Sequence, residues 1–487
     1  MSELGPTADS PAAPRPAPTT LAANQAQATG IDGAEQRRAR RVLLLGSLGM
    51  FAVALDTTIV NIAFTTIAGS LHASTEHLAW VLNSYSLVFA ALLIPAGWVA
   101  DRYGRKRVFL AGLVGFAAMS ALCAAAPDVG VLIAGRGLQA VSAALLVPSS
   151  LALILQEFPP AKRPMAVGTW GSMGAVAAAL APTAGALLTE YASWRWIFLI
   201  NVPIAVAMAL FGVRVLRETR APAASRVPDP FGTVLVAAIP ALLSLALLQG
   251  PYWGWSDPRV IGGFVLGFVL LPIFLWRSSA TANPVMDLAL FKDHQFRLVN
   301  AGTLLFATAF FGVLLSGVVF LQTEWHYSVL RSALATAPGP LVVILLARPA
   351  GRIAARIGHR SVLLAGAVVW FAGSAAFAAS AGASPHWATD WLPGTVLIGI
   401  GAALTLPVQP AAATKPLPPP RFAVGAAINA SFRQLGAVLG VSIFVAVQSS
   451  TARATYVAAF HHVWWAFAVL GLAAGLVVWL PPRREGA

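Results

Sequence analysis

The sequence predicts an all-α polytopic membrane protein: two six-helix bundles with two extra central helices, fourteen transmembrane spans in total. Three observations carry that prediction. The composition suits a chain whose solvent is lipid, with 58% hydrophobic and only 10% charged residues among 487 and a mean hydropathy of +0.75. A water-soluble chain carries far more charge. Apolar runs of spanning length recur from residue 42 onward, separated by short polar loops. One of those loops occurs twice. Gly97-Trp98-Val99-Ala100-Asp101-Arg102-Tyr103-Gly104-Arg105-Lys106-Arg107 returns as Gly351-Arg352-Ile353-Ala354-Ala355-Arg356-Ile357-Gly358-His359-Arg360, with both glycines, one Ala, one Arg and the closing cation in register. Two halves copied from one design, related by an axis along the membrane normal, are the architecture of one large class of secondary transporters. The second copy has Ala355 where the first has Asp101.

In chain order, residues 1–41 are expected to form a disordered cytoplasmic tail, rich in Pro, Ala, Ser and Thr, with no apolar periodicity and no cleavable-signal pattern. Arg37, Arg38, Arg40 and Arg41 then abut the apolar run 42–69, a first span with its N-terminus inside. Spans at 79–100, 108–126, 130–156, 165–189 and 195–216 complete an N-terminal six-helix bundle over 42–216. The stretch 217–297 is a linker that opens basic and Pro-containing and holds two additional spans, 231–249 and 259–277. A C-terminal bundle over 298–480 follows, with spans at 298–321, 334–357, 361–381, 388–414, 423–448 and 461–480, and 481–487 form a second cytoplasmic tail.

Charge supports the count. Loops on one side carry Arg102, Arg105, Lys106 and Arg107, Lys162 and Arg163, Arg217, Arg220 and Arg226, Lys292 and Arg297, Arg356 and Arg360, Lys415 and Arg421, and finally Arg483 and Arg484; the opposite loops hold Arg195, Arg259, Arg331 and Arg453. An even number of spans with both termini cytoplasmic satisfies the positive-inside rule. Trp80, Trp194, Trp253, Trp255, Trp325, Trp387, Trp391 and Trp464 fall near the outer interface and are expected to anchor there. A net charge of +14 might suggest nucleic acid, but the cations are dispersed over alternate loops and form no single face. Cys123 is the only cysteine, so no internal disulfide forms and no thiolate metal site is expected.

The informative residues are the polar ones placed in lipid. Asp56 lies deep in the first span, the only acid so placed. An intramembrane ionisable group is a functional-site candidate by default, and a carboxylate whose surroundings alternate can load and release a proton. Thr57, Thr58 and Asn61 are near enough along the helix to supply hydrogen bonds. Arg136 in the fourth span, followed by Gly137 and Gln139, is the natural partner, since a cation inside a bundle must be paired or face water. Arg433, beside Gln434, is a second deep cation with no acid to match it. The fifth span holds Gly171, Gly174, Pro182 and Gly185, a bend among small residues on which bundles could rock, and the thirteenth holds Gly436 and Gly440, suited to close packing.

Four stretches give the chain a family likeness: Leu55-Asp56-Thr57-Thr58-Ile59-Val60-Asn61-Ile62-Ala63; the Gly97–Arg107 loop; Arg136-Gly137-Leu138-Gln139 running on to Pro148; and the fifth span through Ser193-Trp194-Arg195-Trp196-Ile197-Phe198-Leu199-Ile200-Asn201-Val202-Pro203, with a weaker echo at Asn429–Gly440. In these the chain resembles the major facilitator superfamily, specifically its fourteen-helix drug:proton antiporter branch, over nearly everything after residue 37. The resemblance implies proton coupling at Asp56, modulated by Arg136. It implies a cytoplasmic gate at Gly97, Asp101, Arg102, Gly104, Arg105 and Lys106, locked by Asp101 with Arg105, and an antiporter helix marked by Gly174, Pro182 and Gly185. Ala181 and Ala186 stand where the family usually has Gly, and the second half has no deep acid of the kind some relatives use for dicationic drugs.

None of Lys106, Lys162, Lys292 and Lys415 follows a glycine, so no Walker A loop exists and an ion gradient must supply the energy. The expected function is proton-coupled export of amphipathic drugs or antibiotics by alternating access, without a cofactor, by a monomer in the plasma membrane of a bacterium. A proton-coupled importer and a non-transporting receptor are the alternatives. No His cluster, paired carboxylates or activated nucleophile points to an enzyme. Tyr85, Gln139, Trp170, Phe310, Asn429 and Gln434 are the candidate cavity residues, aromatic or amide groups at inward-facing helix positions.

Overall fold

The structure is a computed structural model that describes residues 18–159, 162–220, 229–417, 421–450 and 456–480, and among them every regular element is helical. The N-terminal half comprises α1 (Pro18–Ile59), α2 (Phe64–Leu71), α3 (Thr75–Tyr103), α4 (Arg105–Ala124), α5 (Val129–Glu157), α6 (Arg163–Tyr191), α7 (Trp196–Leu199) and α8 (Asn201–Val215). Two helices follow, α9 (Pro230–Trp253) and α10 (Pro258–Ala280). The C-terminal half comprises α11 (His294–Thr323), α12 (Val329–Thr336), α13 (Pro338–Ile357), α14 (His359–Ser380), α15 (Leu392–Thr405), α16 (Val408–Thr414), α17 (Phe422–Ser449) and α18 (Tyr456–Trp479). Among the described residues 13 segments are long and apolar enough to cross a membrane. The remaining expected span, 165–189, is occupied by α6, a helix of 29 residues.

Of the expected tails, residues 1–17 and 481–487 lie outside the described residues, as do Arg226 and Arg453. The chain is helical from Pro18, inside the stretch expected to be disordered. Its alanines and glutamines are good helix formers, and a helix already nucleated by the span extends through them at little cost.

The scarce acids explain where helices begin. Asp128, Asp229, Asp257 and Asp293 each accept a hydrogen bond from a backbone N–H in the first turn of α5, α9, α10 and α11, and Ser74 and Ser328 do the same for α3 and α12. The repeated loop is also a repeat in space. Gly104 between α3 and α4 has φ +113°, and Gly358 between α13 and α14 has φ +94°. A left-handed residue breaks each helix for a single position, and glycine takes that conformation without a Cβ clash. Gly254 uses the same device between α9 and α10, with φ +96°.

We call the end carrying Arg102–Arg107 and Arg356 the basic end, and the other the far end. The halves meet along α3 and α17, where Asn83 Nδ2 donates to Ser442 Oγ (3.0 Å) and Ser431 Oγ to the Ala90 carbonyl (3.1 Å). At the far end the Leu330 N–H donates to Glu190 Oε2 (3.0 Å), Thr65 Oγ1 to Gln322 Oε1, and Ile62, Ala186, Val318 and Ala333 share one apolar cluster. Helix α9 lies across the seam on α3 and α17, its Leu235 and Val236 packed with Ala91 and Ile428, while α10 packs on α9 and exposes Val265, Phe268, Val269 and Trp276. Arg277 of α10 donates two hydrogen bonds to Asp229, at 2.5 and 2.8 Å.

Several tryptophans expected at the lipid interface are instead core residues. Trp194, Trp325, Trp391 and Trp464 are buried, and Trp391 stacks on Phe377 (4.2 Å between centroids) and Phe320 (5.7 Å). Three of the four indole N–H groups donate inside the protein, to Ser70, Gly382 and Ser316. With the polar edge satisfied, the large ring gains more from burial than from the interface. Trp253 and Trp255 are exposed, the arrangement an interfacial anchor needs.

Candidate functional site

Asp56 sits one turn before the end of α1 and is fully buried, and Arg136 of α5 beside it is 1% exposed. Arg136 Nη1 donates to Asp56 Oδ2 at 2.6 Å and to Gln139 Oε1 at 2.7 Å, and its Nε to the Val81 carbonyl at 3.4 Å. The other carboxylate oxygen, Oδ1, accepts from Gln139 Nε2 and from Asn201 Nδ2, both at 2.9 Å. Gln139 also donates to Ser120 of α4 (2.8 Å), and the Tyr85 ring of α3 lies 4.1 Å under the guanidinium. Five helices thus converge on one carboxylate. Three N–H donors, one of them the Arg136 guanidinium, hold its charge, the arrangement a buried ion pair needs to offset its desolvation.

The partners differ in part from those expected. Thr57 and Thr58 donate to the carbonyls of Val53 and Ala54, and Asn61 to those of Thr57 and Thr58. A short polar side chain in a helix finds the carbonyl a turn back closer than any other acceptor. The amides of Gln139 and Asn201 take the role instead. Asn201 opens α8, immediately after the one-residue break at Ile200 that separates it from α7, and sequence reasoning had not singled it out.

Helix α6 lies directly against this part of α1. A Cβ on Gly174 would meet Met50 Cε at 3.1 Å, and one on Gly185 would meet Ile59 Cγ1 at 2.7 Å. Pro182 is inside α6, between these contacts.

At the basic end Arg105 Nε donates to Asp101 Oδ1 (2.9 Å) across the Gly104 break, and Arg105 Nη1 reaches Gln156 Oε1 (3.4 Å). A residue outside the expected set organises this loop. The Glu218 carboxylate accepts from the backbone N–H groups of Lys106 and Arg107, each at 3.2 Å, at the start of α4. An acid at a helix N-terminus complements the unpaired N–H groups there. A Cβ on Gly104 would lie 2.5 Å from Glu218 Oε1, so this glycine is needed for space as well as for φ. Lys106 Nζ donates to the Val213 carbonyl (2.7 Å), Arg102 is exposed, and a Cβ on Gly97 would approach Pro148 Cβ at 3.6 Å, where α3 and α5 run close.

Of the candidate cavity residues, Tyr85 and Gln139 belong to the Asp56 network. Trp170 Nε1 donates to Ser150 (3.0 Å) within the same half. Phe310 stacks on Phe306 and meets Trp370 at a tilt, and Asn429 donates to Asn300 Oδ1 (3.1 Å) and Thr303 Oγ1 (2.9 Å), ties within the C-terminal half. Gln434 is buried with its Oε1 unpaired, and the half-buried Arg433 has no ion pair among the described residues. Gly436 and Gly440 bring the α17 backbone onto α11, with a Cβ on Gly436 only 2.6 Å from the Leu304 carbonyl oxygen.

Known proteins resemble the chain in sequence and in fold. The Tetracenomycin C resistance and export protein of Streptomyces glaucescens is 31% identical over 84% of this chain and 76% of its own length. The Methylenomycin A resistance protein of Bacillus subtilis is 32% identical over 90% and 93%, and the Multidrug resistance protein Stp of Mycobacterium tuberculosis 32% over 85% and 76%. Among solved structures, a bacterial homologue of the human lysosomal transporter Spinster, in an inward-facing and unoccupied conformation, superimposes with a TM-score of 0.62 over 91% of this chain and 96% of its own at 16% identity. A D-xylose-proton symporter gives 0.64 over 92% and 99% at 14%. These share the fold. The chain is therefore a transporter related to drug and antibiotic resistance exporters, and, matching the family model over residues 46–319 and 299–487, it belongs to the Major Facilitator Superfamily.

Proposed function

We propose that this protein is a proton-coupled antiporter that exports amphipathic drugs or antibiotics, its basic end facing the cytoplasm of a bacterium. The observation that carries the reading is the Asp56 network: one carboxylate without exposure, paired with one guanidinium and held by amides from two further positions. A proton taken up by Asp56 cancels the charge that Arg136 answers. The guanidinium then keeps only Gln139 Oε1 and the Val81 carbonyl, and the ties of α1 to α5 and α8 weaken together.

That change has a path to the other half. Asp56 is on α1, α1 packs on α6 through Gly174 and Gly185, and α6 meets α12 and α13, with Glu190 of α6 accepting from the Leu330 N–H. Loading the carboxylate from the outside therefore loosens the same stack of helices that joins the halves at the far end. The loop of Asp101, Arg105 and Glu218 serves as the latch at the cytoplasmic end, where α3, α4 and the start of the linker are tied.

The test uses inside-out membrane vesicles with an imposed acid interior, a fluorescent pH probe, and a panel containing tetracenomycin C, methylenomycin A and chemically unrelated cationic dyes. Antiport predicts proton release from the lumen when a transported compound is added. Substrate-dependent proton movement in the opposite sense would replace export by import, and binding without proton movement would overturn transport coupling altogether.

A further inference from the structure

Arg37, Arg38 and Arg41 of α1, with Arg214 and Val215 of α8, line a cavity of about 290 Å³ at the basic end. We propose that this cavity binds the phosphate of an anionic phospholipid in the leaflet at that end. The positive-inside rule accounts for arginines near this boundary but not for four guanidinium groups around one space. The acid paired with Arg38 is already committed: Glu157 takes three hydrogen bonds from it, at 3.0, 2.6 and 2.6 Å. Arg37, Arg41 and Arg214 have no acidic partner among the described residues, and Lys106, bound to the Val213 carbonyl, adds a further cation one residue from Arg214. Planar guanidinium forks suit a phosphate, and basic pockets between spanning helices bind lipid headgroups.

The apolar surface beside the cavity selects a lipid over a free ion. Leu44 is on the face of α1 that carries Arg37 and Arg41, one turn deeper in the span. Leu210 and Phe211 stand a turn inward of Arg214 on α8, and all three apolar residues are exposed. A phosphate in the cavity lays acyl chains along this strip. A lipid held there bridges α1 and α8, the helices that carry Asp56 and Asn201.

The test is native mass spectrometry of the full chain released from detergent containing equal amounts of phosphatidylglycerol and phosphatidylcholine. The wild type is expected to retain phosphatidylglycerol. Arg37→Gln/Arg41→Gln/Arg214→Gln should lower that adduct roughly tenfold or more while leaving phosphatidylcholine unchanged. Arg217→Gln/Arg220→Gln, which removes two nearby cations outside the cavity, should leave both unchanged, and thermal melting of each variant reports whether it is folded. Equal retention by folded wild type and triple variant, or equal loss in the control, overturns the proposal. Displacement of the lipid by millimolar inorganic phosphate overturns the lipid assignment and gives the pocket to a soluble phosphate.

Discussion

Replacing Asp56 with Asn removes one charge and almost no volume, and the structure states what that leaves behind. Arg136 is 1% exposed and loses its only acid, the case in which breaking a buried pair costs about 3–5 kcal/mol. It keeps Gln139 Oε1 at 2.7 Å and the Val81 carbonyl, which sets the expectation near the lower figure, about 3 kcal/mol. Asp56→Asn should therefore reach the membrane but melt several degrees lower in detergent. The double variant Asp56→Asn/Arg136→Gln, with no orphaned charge, should recover most of the loss. Coupling should not recover. In proteoliposomes with one pH unit imposed, exchange of one proton per substrate sustains roughly tenfold accumulation. Both variants should equilibrate substrate at unity while still exchanging it downhill. Accumulation near the wild-type level in Asp56→Asn would refute the coupling role, and a double variant as unstable as the single would refute the reason given for the instability.

Other substitutions test other parts of the structure. Gly104→Ala meets both a left-handed backbone and the Glu218 carboxylate at 2.5 Å, so it should cost about 1–2 kcal/mol or more, read as a lower melting temperature, whereas Arg102→Ala at an exposed position should be neutral. Gly436→Val drives a branched side chain into the α11 backbone and should abolish recovery of monodisperse protein on size-exclusion chromatography. Hydrogen bonds from Arg277 hold the Asp229 carboxyl below its ordinary range. A carboxylate so depressed adds stability that is complete above its unfolded value, about 4, and lost as pH falls through the folded one. Asp229→Asn should therefore cost about 1–2 kcal/mol at pH 7, discounted because Arg277 is about one-third exposed, and the melting curves of variant and wild type should converge in acid.

Much of the architecture was legible because lipid imposes one rule on every span. An apolar run of the right length must be a helix, so stretches such as 231–249 and 361–381 declare themselves one at a time. The pairing of Asp56 with Arg136 was legible for a similar reason, since two opposite charges in lipid have few other solutions. Asn201 and Glu218 were not. Each is an ordinary residue locally and gains its role from a partner 145 or about 112 positions away. The tryptophans illustrate the converse: position near a span end suggests an anchor, but whether Trp391 faces lipid or Phe377 depends on packing that no local pattern records.

The bonds that join the halves at the far side also have a meaning for leakage. Leu330 to Glu190, Thr65 to Gln322 and Asn83 to Ser442 are three neutral or singly charged hydrogen bonds, worth roughly 3 kcal/mol together. Breaking them weighs against a far-open form by a factor of about a hundred. A ligand must then prefer the far-open form by roughly a hundredfold merely to bring the two forms level. The empty protein is in this sense a closed valve on that side, and a bound ligand is what makes the opening worthwhile.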